Sequence, residues 1–240
     1  MSKQKVLITG ASKGLGLAIA KKLSGEYDLV LHASKTESFT EIPAGAELLC
    51  ADFNNPEALS EFCKKLKKDH GSSLYAVINN AGLTFDKSLI YQPEHEIDTI
   101  LQVNLKAPII ICKTVMKLFM LNKRGVIVNI SSCVGETGNA FQAVYSATKA
   151  GLVALSKSLA REVSALSTDH SIRVLSVSPG FIETDMTAIL PEAEKEKYLK
   201  MIPANRFGNT NEVAEAVAFL ISDKASFING TNINVNGGMV

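Results

Sequence analysis

Short β-branched apolar runs alternate along the chain with longer segments in which apolar residues return every three to four positions. The runs Val6–Thr9, Leu29–Leu31, Glu47–Cys50, Ala76–Ile78, Val126–Ile130, Arg173–Ser178 and Asn232–Val235 predict strands. The segments Leu15–Leu23, Pro56–Lys68, Glu94–Leu121, Ala143–Ala165 and Asn211–Ile221 predict helices. The strand runs are nearly continuous in apolar residues rather than alternating, which implies a sheet covered on both faces. Strand–helix alternation makes that sheet parallel, with right-handed crossovers. The expectation is one α/β domain over residues 1–240: a single doubly wound parallel seven-stranded sheet with helices on both faces. Its site should lie beyond the carboxyl ends of the strands.

No Pro/Ser-rich linker, internal repeat or low-complexity tract interrupts the pattern. Ser34–Gly45 is too short for a full crossover helix and predicts one turn at most. Phe181–Asn205 carries Glu, Lys and Met at loose helical spacing, and reads either as a substrate-covering lid or as an extra surface helix. Lys64, Lys65, Lys67 and Lys68 read as the solvated face of their helix.

Composition narrows the function classes. Of 240 residues 46% are apolar and 20% charged, as in an ordinary globular protein. Twenty-five basic residues against 24 acidic ones leave a net charge of +1, which supplies no broad field for nucleic acid or an anionic membrane. The longest apolar stretch, Ala107–Met120, is broken by Lys113 and Lys117 and is too short to span a bilayer. Met1–Lys5 runs straight into a strand pattern, which predicts no secretory leader. Cys50, Cys63, Cys112 and Cys133 lie far apart, with no C-x-x-C and no His cluster. They read as free thiols in a reducing compartment and offer no metal site, although pairing stays open at this level. A cytoplasmic protein is expected.

The first predicted strand ends in Thr9-Gly-Ala-Ser-Lys-Gly-Leu-Gly16, and a helix follows at once. Gly10 permits a tight turn, while Gly14 and Gly16 let the backbone approach a phosphate at the helix N-terminus. The strict G-x-G-x-x-G fingerprint is not met, because Ile19 stands where the last glycine would fall. A purely structural turn is the alternative. The second strand ends His32-Ala33-Ser34-Lys35 and offers no carboxylate for ribose hydroxyls before Glu37. Lys13 and Lys35 either flank a 2′-phosphate, favouring NADP(H), or are two solvated lysines.

Tyr145 and Lys149 stand four residues apart in a predicted helix and therefore share a face. A free phenol has a pKa near 10, and a neighbouring cation able to lower it by two to three units must supply roughly 3–4 kcal/mol. A surface pair is the plain alternative. Ser131-Ser132 follows the strand Val126–Ile130, where a hydroxyl can donate to a substrate carbonyl as negative charge develops on it. Two serines opening a loop would look the same. The combination in chain order carries the signal.

In these motifs the chain resembles the short-chain dehydrogenase/reductases over essentially its whole length. The matching elements are Thr9–Gly16, Asn79-Asn-Ala-Gly82, Asn104, Ser132, Tyr145-x-x-x-Lys149 and Pro179-Gly180. Within that family it is most similar to the 3-oxoacyl-[acyl-carrier-protein] reductases, through Gly180–Thr187, Ser158–Val163 and Val235–Met239. The resemblance implies a Rossmann-type fold and an NADP(H)-dependent reduction of a 3-oxoacyl thioester in fatty-acid synthesis. Tyr145 would then protonate the substrate oxygen and Ser132 would orient it. Lys149 would bind the nicotinamide ribose and lower the Tyr145 pKa. Asn104 would hold a water linking Lys149 to solvent; it interrupts a long apolar helical pattern, which suits a kink with a freed carbonyl, and a satisfied mid-helix asparagine facing solvent is the plain alternative.

For the cofactor, the resemblance implies Gly10, Ser12, Lys13, Gly14, Leu15 and Gly16 at the phosphates, with Ser34 and Lys35 nearby. It places Asp52 and Phe53 at the adenine, and Asn80, Ala81 and Gly82 beside the adenosine ribose. Pro179, Gly180, Ile182 and Thr184 fall at the nicotinamide end. A homotetramer is implied, with Glu94–Leu121 and Ala143–Ala165 packed across one interface, although their apolar faces equally suit an internal core.

The match frays in three places. The second crossover is shorter than the family pattern, and the loop around Ser164–Ser171 is a few residues longer. Of two basic positions expected beside the active-site mouth for an acidic carrier, Lys123 and Arg124 fit one, and Leu166 occupies the other. The substrate therefore stands open between a carrier-linked and a CoA-linked 3-oxoacyl thioester, or another ketone. A noncatalytic dinucleotide-binding regulator is the rival from another class.

Overall fold

The computed structural model describes residues 3–166, 171–183 and 192–240. Seven parallel strands form one sheet in the order β3-β2-β1-β4-β5-β6-β9. They are β1 (Lys5–Ile8), β2 (Asp28–Leu31), β3 (Glu47–Leu48), β4 (Leu74–Asn79), β5 (Gly125–Ile130), β6 (Ile172–Pro179) and β9 (Asn232–Val235). The order reverses direction between β1 and β4, which opens a crevice at the carboxyl edge where such sheets bind ligands. All residues of β4, β5 and β6 are buried, as continuous apolar runs require.

Side-chain alternation divides the core into two layers. Val6 and Ile8 point into one cluster, which α1 (Gly14–Leu23) and α8 (Thr210–Ile221) cover with Ile19, Leu23 and Val217. Leu7 points the other way, toward Leu66 of α2 (Pro56–His70), Phe119 of α4 (Ala107–Asn122) and Val163 of α6 (Ala143–Leu166). Local signals set the helix starts: the Asn55 side chain accepts from Ala58 N–H ahead of Pro56, and Asn209 with Glu212 forms a capping box.

The expected elements hold with four revisions. The third strand keeps only Glu47–Leu48 of its four predicted residues. The long helix Glu94–Leu121 is two, α3 (Glu94–Leu101) and α4, joined by a π-helical turn at Gln102–Lys106. A one-turn helix, α5 (Val134–Thr137), lies between Ser132 and Tyr145. A small parallel pair, β7 (Ile182–Glu183) and β8 (Gly208–Asn209), flanks α7 (Glu192–Leu199). That helix accounts for the helical spacing within Phe181–Asn205, while residues 184–191 of the interval lie outside the described residues. Ser34–Gly45 holds a single 3-10 turn, Thr36–Ser38, as its length predicts. The four lysines of α2 are exposed, and the four cysteines are free thiols.

One buried cation stabilises the fold away from the site. Arg173 is 5% exposed and donates to Leu220 O (2.7 Å) and Ser222 O (3.1 Å), at the carbonyl end of α8. The guanidinium satisfies end carbonyls and complements the helix dipole. Arg173→Leu is expected to destabilise the protein by roughly 2–4 kcal/mol in denaturant titration, because those carbonyls lose charged donors. Arg173→Lys should recover only part, since one ammonium cannot reproduce the fork. Equal stability of wild type and Arg173→Leu would refute this account.

Candidate active site

The carboxyl edge of the sheet brings together Ser132, Tyr145, Lys149, Asn104 and Gly82. Ser131 and Ser132 directly follow β5; the buried Ser131 hydroxyl donates to Lys149 O (2.8 Å) and so ties α6 to the strand end. Lys149 is 4% exposed, and its ammonium donates to Ile130 O (2.9 Å). It lies 5.5 Å from the centroid of the Tyr145 ring, so the four-residue spacing does place both on one face. Burial pulls the Lys149 ammonium down to about 8.

Tyr145 differs from the expected direction. Burial pushes its phenol up to about 12, and a hydrogen bond with Ser132 opposes that rise. Withdrawal of the ring from water outweighs that hydrogen bond. In the protein alone the phenol is therefore a protonated donor throughout the neutral range.

Asn104 occupies the π turn and is fully buried. Its Oδ1 accepts from Leu83 N–H (2.9 Å) and its Nδ2 donates to Leu83 O (2.7 Å). The wider turn lets an amide in the middle of a helix face the chain just beyond Gly82. A Cβ on Gly82 would stand 3.4 Å from both Asn104 Oδ1 and Lys149 Nζ. Asn104 thus positions the floor beside Lys149.

The glycine loop is joined to the same floor. Thr9 Oγ1 accepts from Asn80 N–H and Ala81 N–H (3.0 Å each), and Asn80 Nδ2 donates to Thr9 O and Gly10 O (3.0 Å each). A Cβ on Gly16 would lie 2.2 Å from Gly10 O, so no larger residue fits there. Ser12 O accepts from Thr40 N–H and Thr40 Oγ1 (3.3 and 3.2 Å).

His32 is a positioning residue that the sequence did not single out. Gly10 N–H donates to its Nδ1 (3.3 Å), which leaves Nε2–H to donate to Ala51 O (2.9 Å). Burial lowers its pKa to about 4, and the neutral ring stacks on Phe53 with centroids 3.8 Å apart. Phe53 is 4% exposed, and its ring packs in the core against His32 and Phe62. Asp52 is exposed and accepts from Asn54 N–H (2.9 Å).

A dinucleotide fits these residues. Unlike α2 and α8, helix α1 begins without a side-chain cap, with Lys13 extended before Gly14 and Leu15. Its first N–H groups are thereby free to meet an anion. Gly14 has φ +54°, and a Cβ there would meet nothing within 4 Å, which leaves room for a phosphate. Ser34, Lys13 and Lys35 are exposed, and neither lysine has a carboxylate partner among the described residues. At the far end Cys133 N–H donates to Pro179 O (2.9 Å) and Gly180 N–H to Val235 O (3.0 Å). Ile182 is buried in β7, and Thr184 lies outside the described residues.

The chain is similar to several known proteins over nearly its whole length. A family profile described as enoyl-(acyl carrier protein) reductase matches residues 10–240. The 3-oxoacyl-[acyl-carrier-protein] reductase of Escherichia coli is 39% identical over 238 residues, covering 97% of this chain and 96% of its own. The protein of the same name from Aquifex aeolicus is 39% identical over 97% and 96% of the two chains. Nodulation protein G of a Rhizobium species is 37% identical over 98% and 96%.

Proposed function

The chain belongs to the short-chain dehydrogenase/reductase family, an oxidoreductase family that uses a nicotinamide dinucleotide, and from that premise we propose that it reduces a 3-oxoacyl thioester to the 3-hydroxyacyl form with NADPH. The observation that carries this reading is the Ser132–Tyr145–Lys149 cluster at the carboxyl edge, in a chain 39% identical to a named 3-oxoacyl-[acyl-carrier-protein] reductase.

When bound, the dihydronicotinamide supplies the hydride. The residues of the chain do the rest. Ser132 and Tyr145 donate to the substrate oxygen, and their hydrogen bonds strengthen as it acquires negative charge. Tyr145 Oη then passes its proton to that oxygen, a downhill transfer from a phenol to an alkoxide. Lys149 holds the ribose and becomes the cation facing the phenolate that remains. Buried Lys149 and Asn104, beside Gly82, keep the ring and the substrate in register.

Cofactor choice follows from the exposed Lys13 and Lys35, which suit a 2′-phosphate. Lys35→Ala is expected to raise KM for NADPH about tenfold, the scale of one charge-assisted contact, with little effect on NADH. An equal effect on both cofactors would remove the phosphate argument.

A carrier-linked thioester is the preferred substrate class, in the cytoplasm and in a homotetramer. No helix among the described residues is long and apolar enough to cross a membrane. Lys123 and Arg124 stand at the turn into β5, on the sheet edge opposite Tyr145. The six residues of β5 separate the two edges by roughly 20 Å. Those basic residues therefore serve a carrier beside a mouth only when another copy brings its mouth to them, which ties carrier docking to assembly. The likeness to nodulation protein G keeps a second ketoreductase substrate in view.

Spectrophotometric NADPH oxidation with carrier-bound and CoA-bound 3-oxoacyl thioesters tests the reading. Preference for the carrier form supports it, and turnover of CoA esters or unrelated ketones alone moves the substrate. Cofactor binding with no turnover across a broad ketone panel would favour a regulator.

A further inference from the structure

The loop that leads into α6 carries a feature the reaction itself does not explain. Phe141 has φ +68°, in the left-handed region where a bulky side chain is strained, and it is 64% exposed. A glycine would make the same turn without strain and without presenting an aromatic ring to water. Both unfavourable features therefore come with the Phe141 side chain, the strain from its Cβ and the exposed apolar surface from its ring, four residues before Tyr145.

The backbone holding that ring is firmly built. Lys87 N–H donates to Phe141 O (2.8 Å), and Gln142 Nε2 donates to both carboxylate oxygens of Asp86 (3.0 and 2.9 Å). These bonds join the segment after Gly82 to the segment before Tyr145, at the carboxyl edge of the sheet. Phe85 and Leu89, two residues to either side of Lys87, are 38% and 54% exposed. An apolar surface is thus fixed at the mouth of the site, with no element of the chain covering it among the described residues.

We propose that Phe141 is the platform for the hydrocarbon chain of the substrate, and so a specificity-determining residue for chain length. This rests on the 3-oxoacyl reading above. With the ketone oxygen fixed at Ser132 and Tyr145, the carbons beyond it leave the site past the loop that precedes α6. A short chain ends before the ring, whereas a long one covers it and removes both surfaces from water. Phe85 and Leu89 extend the surface along the same route.

The test compares wild type with Phe141→Gly on acetoacetyl and 3-oxodecanoyl thioesters. The ratio of kcat/KM for the long over the short substrate should fall by about tenfold or more, mainly through KM, as expected for losing one buried aromatic contact. Tm should stay level or rise, because the strained conformation passes to glycine. An unchanged ratio overturns the proposal. So does an equal loss on both substrates with a lowered Tm, which marks a structural role. Calorimetric binding of 3-hydroxydecanoyl and 3-hydroxybutyryl thioesters to the NADP-loaded protein reads the same platform without turnover. A chain-length selectivity lost in Phe141→Gly there supports the platform even if ketoreduction fails, which would overturn only the functional reading; equal selectivity in the two proteins overturns the platform.

Discussion

Tyr145→Phe is expected to lower kcat for ketone reduction by about 10³-fold while leaving the Kd for the cofactor within a factor of two. The variant keeps the ring that packs beside Lys149 but removes the proton donor. General acid catalysis contributes about 10²–10⁴-fold in rate. The tyrosine also donates one of the two side-chain hydrogen bonds to the developing oxyanion, which places the loss inside that range rather than at its lower end. Cofactor fluorescence titration separates binding from turnover. Turnover within a few-fold of wild type would assign the proton to another group.

The same residue gives the reaction a direction in pH. With the phenol held up at about 12 by burial, Tyr145 is protonated across the neutral range, the form that reduction consumes. Oxidation of a 3-hydroxyacyl thioester needs the phenolate instead. Its rate should therefore rise with pH through the neutral range, while reduction stays nearly flat.

How much of this was legible in the sequence depends on which force places each residue. Val126–Ile130 was readable as a strand because it is buried on both faces, and burial of that kind favours a nearly continuous apolar run. Arg173–Ser178 is equally buried, with Val174, Leu175 and Val177 carrying the signal between polar residues. The partnership of Tyr145 and Lys149 was readable because helical spacing is local. A kink at Asn104 was readable because that residue interrupts a long apolar helical pattern, but the π geometry of Gln102–Lys106 was not. The turn is fixed by what Asn104 meets on Leu83, 21 positions away. The stacking of the Phe53 ring on His32 was not legible either, because the two residues follow different strands and are 21 positions apart. His32 itself carried no signal beyond an odd polar residue at a strand end. The direction of the Tyr145 shift was inverted because spacing reports that a cation is near, but not how far the phenol is withdrawn from water. Thr9 offered one local clue, a hydroxyl immediately before the glycine turn, and its use became visible only once Asn80 lay against it.

Lys149→Met is expected to abolish turnover and at the same time stabilise the fold at pH 7. Burial lowers the ammonium from its ordinary value near 10.5 to about 8, a difference worth roughly 3 kcal/mol against the charged form. At pH 7 lysine is charged in both folded and unfolded chains, so that full cost falls on the folded state. Removing the ammonium relieves it, but leaves Ile130 O without its donor at about 1–2 kcal/mol. A net gain on the order of 1–2 kcal/mol remains. The sign of the pH dependence is a separate check. Between about pH 8 and 10.5 the unfolded chain binds more protons than the folded one, so wild-type stability rises with pH there relative to Lys149→Met. Denaturant midpoints at pH 7 and pH 9.5 should therefore converge, staying below the range where the phenol of the unfolded chain ionises. A gap that widens with pH, or a variant less stable than wild type at pH 7, would mean that the ammonium is held favourably rather than at a cost. The expected outcome instead makes Lys149 a residue kept for its chemistry against the preference of the fold: the low-dielectric pocket that makes its charge expensive is also what lets that charge act strongly on the ribose and on the phenolate left by Tyr145.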